Sequence, residues 1–400
     1  MIYRKFGNTN IKLPILGMGT MRLPSKNIKG IESINESESI NLIEVAVSKG
    51  INYFDTAWPY HGGMSEVILG KVIKNQKRTD LYIATKSPTW EISSTEDFNR
   101  ILNQQLEKLE TDYIDFYMFH ALGNRRWQNI LSNNLLQAMQ DAKKDGRVKH
   151  IGFSFHDNLD MFKRIIDDFD QWDFCQIQYN YRDIDKQAGT KGLEYAYEKG
   201  LGIIVMEPLR GGELVHLPKR VADFLPQNKN SVEWGLDFLW DKPEINLVLS
   251  GMSSIAEIEK NVEYANRSSV GMLSNYHKQL LLQAKQIFDD SPMIYCTKCN
   301  YCISCPSKIK IPKIIEAYNM IFSKDYTKAK QHYDILTISQ SSCQLCDKCN
   351  EICPQNINIS NLLPIIEEAF SKSIPDINWD ALKMKWPERY ELKKRMQQRK

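Results

Sequence analysis

The sequence predicts an α/β protein, a (β/α)8 TIM barrel with a C-terminal α-helical, ferredoxin-like iron–sulfur domain. Apolar, strand-like runs alternate with amphipathic stretches over roughly the first 265 residues, and about eight such units in about 250 residues is the size of a closed parallel barrel. After them, 8 of the 9 cysteines crowd beyond residue 295 in two similar groups. A doubly wound open sheet is the alternative for the first part, weakened because no G-x-G-x-x-G follows the first strand.

The strand-like runs lie at 15–19, 51–56, 81–85, 114–120, 150–154, 174–178, 202–206 and 245–250. Each is a short apolar run bounded by polar or turn-forming residues. Helical spacing, with apolar residues three and four apart, is clearest at 39–49, 64–74, 96–109, 135–144, 159–168, 191–199, 232–239 and 255–264. Gly50, Gly146, Gly200 and Pro243 stand near element ends, where chain reversals need them. The expected division is a barrel over 1–268, a helical linker over 269–290, a cluster domain over 291–365 and a basic tail over 366–400.

Composition narrows the function classes. Lys plus Arg is 52 and Asp plus Glu 49, a net charge of +3 over 400 residues, which argues against a dedicated nucleic-acid binder. Hydrophobic residues at 42% and charged residues at 25% exclude wholesale disorder. No apolar run reaches the roughly 18 residues of a membrane-spanning helix. No apolar segment follows the opening Met1 to Phe6, so no secretory signal is visible and a cytoplasmic location is expected.

Cys296, Cys299 and Cys302 recur every third residue, and Cys305 precedes Pro306; Cys343, Cys346 and Cys349 repeat the spacing, and Cys353 precedes Pro354. Three thiolates so spaced wrap one face of an iron–sulfur cubane, each on its own iron, and in two-cluster ferredoxins the fourth comes from the other motif. The second group matches C-x2-C-x2-C-x3-C-P, whereas the first is one residue short before its last cysteine. Two [4Fe–4S] clusters are therefore expected, one on Cys296, Cys299, Cys302 and Cys353, the other on Cys343, Cys346, Cys349 and Cys305. Structural zinc and a disulfide framework are the alternatives; zinc prefers two spaced pairs, often with histidine, and disulfides need an oxidising compartment. Between the groups, 311–333 reads as a helix with Ile314, Ile315, Tyr318, Ile321 and Phe322 on its apolar stripe.

In a barrel the chemistry belongs at the C-terminal ends of the strands. There the second run ends in Asp55 with Tyr60 following, the third in Thr85-Lys86 and the fourth in His120. Hydride attack on a carbonyl builds an alkoxide that must be protonated as it forms. A tyrosine can protonate it if a lysine stabilises the developing phenolate; an aspartate keeps that lysine charged, and a histidine can bond the carbonyl oxygen. Each residue also has a plain alternative: Asp55 as a helix cap, Lys86 as a loop lysine, Tyr60 as packing, His120 as a core histidine. Trp58, Trp90 and Trp127 lie near strand ends, as an aromatic wall or as packing.

The segment Phe54-Asp55-Thr56-Ala57-Trp58-Pro59-Tyr60, with Ser65-Glu66 and Leu69-Gly70, resembles the aldo-keto reductase signature over roughly residues 1–265. The resemblance implies a (β/α)8 barrel that reduces an aldehyde or ketone with NAD(P)H, or runs the reverse on an alcohol, with Asp55, Tyr60, Lys86 and His120 as the catalytic tetrad. The joined cysteine module resembles a subgroup that carries a C-terminal 4Fe–4S ferredoxin-type domain.

The resemblance extends to the cofactor site. Ser154, in Ile151-Gly152-Phe153-Ser154, and Gln176 would meet the nicotinamide carboxamide; the family's Asn after the Ser is Phe155 here, with His156 a replacement. Met206 stands where the family often stacks a Tyr on the nicotinamide ring, and Pro208, Leu209 and Gly211 fall in the loop that crosses the pyrophosphate. Gly19 and Thr20 close the first strand, and Ser250, Ser253, Glu257 and Asn261 follow the eighth, with Asn261 at the adenine. The Lys and Arg by which NADP-dependent members hold the 2′-phosphate are replaced by Gly251 and Glu257, and a carboxylate suits a ribose hydroxyl better than a phosphate, which favours NADH over NADPH. The alternative has Glu257 in water and Ser253 or Ser254 on the phosphate.

Nicotinamide passes two electrons together and a cluster usually one, so joining them calls for a relay such as a flavin, of which no signature is seen. The clusters thus stand open to electron transfer, oxygen sensing or a structural role. The last residues carry Lys383, Lys385, Arg389, Lys393, Lys394, Arg395, Arg399 and Lys400 against Glu388 and Glu391, a docking patch for a ferredoxin or other acidic carrier, or a solvated end. From another functional class, the competitor is an electron-transfer or redox-sensing protein that uses the barrel as a docking scaffold.

Overall fold

The computed structural model describes residues 1–28, 31–290, 293–323, 326–336 and 342–371. Strands β1 (Leu16–Gly19), β2 (Tyr53–Asp55), β3 (Tyr82–Ser87), β4 (Ile114–Leu122), β5 (Val148–Phe155), β6 (Phe174–Gln178), β7 (Gly202–Met206) and β8 (Leu247–Ser250) close into a parallel barrel in chain order. β1 pairs with β2 on one side and β8 on the other, so no sheet edge is left and the open-sheet alternative falls. Around the strands run α1 (Glu36–Ser48), α2 (Met64–Ile73), α3 (Thr95–Lys108), α4 (Asn124–Ser132), α5 (Leu135–Lys144), α6 (Leu159–Asp167), α7 (Gly189–Glu198), α8 (Ser231–Trp240) and α9 (Ile255–Arg267). Ser94, Asn158 and Ser254 cap α3, α6 and α9 through side-chain oxygens that accept a backbone N–H of the first turn.

One end of the barrel is filled. A hairpin of Tyr3–Lys5 and Lys12–Pro14 brings Phe6 into a cluster with Tyr53, Phe174 and Leu247, the first residues of β2, β6 and β8. Its ring stands edge-on to Phe116 at 5.3 Å. A Cβ at Gly202, which opens β7, would lie 2.3 Å from that ring, so the plug requires glycine there. The chemistry is left to the opposite end, where the strands finish.

Several elements differ from expectation. β3 runs on to Ser87 and β4 to Leu122, which puts Lys86 inside its strand rather than just past it and His120 within its strand rather than at its end. Helix α4 was not foreseen between the fourth strand and α5; it buries Trp127 and Ile130. A second hairpin, Ser25–Ile28 with Ile31–Ile34, follows β1.

The chain divides into two compact units, Met1–Leu209 with Glu233–Ser274, and Arg210–Val232 with Asn275–Lys400. The second contains α10 (Asn275–Asp289), α11 (Ile311–Ser323), α12 (Tyr326–Asp334), α13 (Lys348–Ile352) and α14 (Ile359–Ser371). The stretch expected as one helix over 311–333 is two, α11 and α12, packed against each other. Two packed helices can put Ile314, Tyr318 and Ala329 into one core, which a single straight rod of that length cannot do. Leu363, Ile366 and Phe370 of α14 complete it. The tail expected from 366 begins inside α14, and its eight cations lie outside the described residues. Among the described residues no helix is long and apolar enough to cross a membrane.

Candidate functional site

The last residue of β2, Asp55, faces Lys86 of β3: Nζ donates to Asp55 Oδ1 at 2.6 Å and to the Thr56 carbonyl oxygen at 2.7 Å. Both side chains are buried, 1% exposed for Lys86 and 5% for Asp55. Burial pushes the Lys86 ammonium down and the Asp55 carboxyl up, and their contact opposes both shifts. Lys86 Nζ stands 4.9 Å from the centre of the half-buried Tyr60 ring, and the His120 ring lies 6.1 Å from Tyr60. The four expected catalytic residues thus converge on one point of the barrel rim.

Backbone geometry explains how they meet. After Tyr60 the chain turns through His61, Gly62 and Gly63, all left-handed, with φ 52°, 65° and 88°. Gly63 then opens α2, a conformation that a side chain there would strain. At β4 the register slips between Phe119 and Leu122, and Ala121 takes φ 55°. Such a bulge re-aims its neighbours, here His120. Burial first, then the charge of Lys86, holds the His120 imidazole well below its ordinary pKa, so the ring is neutral.

Polar groups named in the sequence only as parts of separate segments are joined here by hydrogen bonds. Thr56 donates to Ser65 Oγ (2.9 Å), Ser65 to Thr20 Oγ1 (2.7 Å), and Thr20 to the Asp55 carbonyl oxygen (2.9 Å). Thr20, expected at the cofactor, has no exposed surface and braces Asp55 instead. Glu66 is fully buried and accepts from Thr85 Oγ1 (2.7 Å) and Gln105 Nε2 (2.6 Å). Lone threonines and serines give no periodic signal, so only the fold assembles this chain. Of the three tryptophans, Trp90 is 41% exposed and lies 5.1 Å from the His120 ring, at the mouth. Trp127 is 0% exposed, which removes it from an aromatic wall, and its indole N–H donates to Asp168 Oδ2 (3.0 Å).

Ser154 and Gln176 end up inside the rim on β5 and β6, both nearly inaccessible. Ser154 Oγ accepts the Ala121 N–H at 2.7 Å, which leaves its own proton to donate. Gln176 Nε2 reaches Met206 Sδ at 3.7 Å, while its Oε1 is buried with no hydrogen-bond partner. One spare donor and one spare acceptor are what a primary carboxamide needs. His156 instead bonds Gln187, Nδ1 to Oε1 at 3.2 Å. Pro208 is buried and Leu209 half-buried after β7, and Gly211 is left-handed. Gly19 is half-buried, with room for a Cβ before the Ser250 carbonyl at 3.9 Å. Asn261 Nδ2 donates to Ser250 Oγ at 3.1 Å. Glu257 Oε2 accepts from Ser253 N–H (2.6 Å) and Ser253 Oγ (3.2 Å), while Ser254 Oγ accepts Glu257 N–H. Ser254 thus caps α9, and the Glu257 carboxylate reaches back to Ser253, the residue before the cap. The Arg22 stem lies beside Gly251: a Cβ there would meet it at 3.4 Å.

In the second unit all eight C-terminal cysteines are unpaired by disulfides. Cys296, Cys299, Cys302 and Cys353 line one cavity; Cys302, Cys305, Cys343, Cys346 and Cys349 line another, of about 190 Å³. The Cys302 thiol feels Cys299, Cys296 and Cys353, and the Cys349 thiol feels Cys343 and Cys305. Burial pushes Cys296 and Cys349 up to about 11. The two loops repeat each other in backbone. Lys298 and Asn300 flank Cys299 with left-handed φ, as Leu345 and Asp347 flank Cys346; Lys308 and Asn356 repeat it three residues after Cys305 and Cys353. Alternation of this kind forms concave nests of N–H groups suited to anionic clusters. The residue missing from the first motif is absorbed locally: Tyr301–Ser304 is a 3₁₀ turn where the second motif has the longer α13. Among the described residues no group of three ligating side chains closes on a single ion. A cubane holds each thiolate on a separate iron, farther apart than one tetrahedral zinc would.

The strand order defines a (β/α)8 barrel with a charged cluster at its strand ends. Residues 15–270 match the Aldo/keto reductase family, and the chain belongs to it. It is 29% identical over 293 residues to L-galactose dehydrogenase of Arabidopsis thaliana, covering 67% of this chain and 90% of that one. Among solved structures, the holo form of an aldo-keto reductase from Bacillus halodurans matches at a TM-score of 0.61 and 22% identity, covering 71% of this chain and 96% of that one. An aldo-keto reductase from Klebsiella pneumoniae in complex with NADPH matches at 0.57 and 18% identity, covering 72% and 96%. At those identities the two structures speak for the fold.

Proposed function

We propose that the barrel reduces a small aldehyde or ketone with NAD(P)H, or oxidises the corresponding alcohol, and that the second unit carries two [4Fe–4S] clusters. The buried Lys86–Asp55 contact at 2.6 Å, within reach of Tyr60, carries the catalytic part. The nicotinamide, when bound, supplies or takes the hydride. Ser154 and Gln176 Oε1 fit its carboxamide as donor and acceptor. As negative charge grows on the carbonyl oxygen, the Tyr60 hydroxyl gives up its proton there. Lys86 stabilises the phenolate left behind, and Asp55 fixes Lys86 in place. Neutral His120 donates a hydrogen bond to the same oxygen and orients the substrate, with Trp90 beside it.

The cluster part rests on the donor set. Two cavities, each walled by cysteines in the crossed arrangement, suit Cys296, Cys299, Cys302 and Cys353 for one cluster and Cys305, Cys343, Cys346 and Cys349 for the other. The cofactor preference for NADH has lost support, because Glu257 is engaged in its own helix cap.

An anaerobic titration with NADH and, separately, NADPH is the first test: saturable binding of either supports the reductase, and none with the protein intact overturns it. With methylglyoxal and benzaldehyde as probes, Tyr60→Phe should lose nearly all turnover and keep nicotinamide binding; retained turnover removes Tyr60 as the acid. Anaerobic protein should hold about eight irons and eight sulfides per chain, and zinc in their place would refute the clusters.

A further inference from the structure

At the barrel mouth, Arg125 and Arg126 lie in the first turn of α4. Cations are unfavourable at the start of a helix, and no acid stands in that turn to offset them. The stability of α4 therefore does not account for Arg126, which is half-buried. Its guanidinium lies 5.2 Å from the centre of the Trp90 ring, and Trp90 lies 5.1 Å from the His120 ring. Nη1 donates to the Ala121 carbonyl oxygen at 2.6 Å. Ala121 is the left-handed residue of the bulge that aims His120, so one distortion of β4 fixes both side chains. Two carboxylates of this rim are engaged elsewhere. Glu91 accepts the indole N–H of Trp58 (2.9 Å) and of Trp90 (3.1 Å), and Asp157 accepts the backbone N–H of Asn124 (2.8 Å) and of Asn158 (2.7 Å). After burial, the His120 imidazole feels Lys86, then Arg126, then His156. Burial and then Arg126 push the His156 imidazole down to about 4. The charge of Arg126 is thus turned toward the barrel mouth.

We propose that Arg126 binds a carboxylate of the substrate, so that the barrel takes an aldehyde or ketone that carries a carboxylate a few carbons from its carbonyl. The inference rests on the reductase reading above and names its substrate class. The carbonyl oxygen must meet Tyr60 and His120, whose rings are 6.1 Å apart. A substrate that leaves that point along Trp90 reaches Arg126 after the width of one indole. The planar guanidinium presents its N–H groups as a fork that matches the two oxygens of a carboxylate, and the Trp90 ring supports the cation from one side. A half-buried charge is also screened less by salt than an exposed one. The carboxylate takes no part in hydride or proton transfer; its ion pair with Arg126 places the carbonyl under the Tyr60 hydroxyl.

The test compares 3- and 4-carboxybenzaldehyde with their methyl esters, which keep the shape and lose the charge, as substrates of the full chain with NADH and with NADPH. In the wild type, kcat/KM for at least one acid should exceed that for its ester by about 10- to 100-fold, the worth of a hydrogen bond to a charged group. Arg126→Gln should erase that ratio, chiefly through KM, because it removes binding and leaves the proton donor in place. Arg126→Lys should keep part of the ratio, as a point charge without the fork. Equal turnover of acids and esters by the wild type overturns the inference, and this arm needs no variant to fold. An Arg126→Gln protein that slows acids and esters alike overturns it too, since the guanidinium would then serve only to hold the Ala121 carbonyl. Failure to turn over any of the four probes, or benzaldehyde, would instead overturn the reductase reading on which the inference depends.

Discussion

The two units hold their candidate sites in opposite ways. In the barrel, Lys86 and Asp55 already touch, fixed by Thr56, and a hydroxyl chain through Ser65 and Thr20 braces the Asp55 carbonyl. The site is a consequence of the fold. In the second unit the cysteines line cavities with no bond between them, on loops with four left-handed non-glycine residues beside Cys299 and Cys346. Each such residue is strained by about 1–3 kcal/mol and needs something to over-determine it. On the proposed cluster reading, the bound clusters would supply it.

Removing iron is the strongest way to break that contrast. Because binding energy at such a site is folding energy, chelation should unfold the second unit and spare the barrel. Hydrogen exchange would show α11 and α14 losing protection while β3 and β4 keep theirs. Equal protection with and without iron would mean that the apolar core built on Ile314, Tyr318 and Ile366 suffices alone.

On the barrel side, Lys86→Met should lower carbonyl reduction by about 10²–10⁴, the usual worth of a tuned proton donor, without loss of cooperative unfolding. Turnover near wild type would make Lys86 a structural partner of Asp55 only. The pH profile sharpens this. His120 is held neutral by burial and by Lys86, so it gains a proton only well below the ordinary histidine range. Activity should therefore show no acid limb near pH 6.5, and a limb there would mean that the ring is solvated.

Phe6→Ala acts at the other end of the same barrel. It empties a fully buried site against Phe116 and Phe174 and should cost about 3–5 kcal/mol, read as a lower denaturation midpoint. Iron content should not change. A loss of iron in this variant would show that the units depend on each other, contrary to the contrast drawn above.

What could be read in the sequence follows the same divide. Strand–helix alternation is a local pattern, and so is the cysteine spacing, which is why the closed barrel and the paired cysteine loops were both visible. Asp55, Lys86 and His120 could be picked out because each stands where an apolar run ends, and Tyr60 because it follows Asp55 in the signature segment. The bulge at Ala121 could not, and although Thr20, Thr56, Ser65 and Glu66 stood in recognisable segments, the bonds that join them depend on contacts between residues far apart in sequence. Helix α4 was missed because Trp127 and Ile130 make a stripe too short to register.

Glu257 stands between two roles, support of the α9 entry and a ribose contact, and it supports the smallest effect. If its carboxylate serves α9, Glu257→Ala removes the two bonds from Ser253 that hold the helix entry and should destabilise the protein by about 1 kcal/mol. The ratio of NADH to NADPH affinity should then stay within about threefold of wild type, since a change of about 1.4 kcal/mol in differential binding is needed for tenfold. A ribose contact predicts the reverse: a tenfold or larger swing toward NADPH, as a carboxylate leaves the space where a phosphate would sit. Arg22, beside Gly251, gives the control. If Glu257→Ala raises NADPH affinity and the further change Arg22→Ala removes the gain, the carboxylate and the cation both face the adenosine ribose, and Glu257 does more than cap its helix.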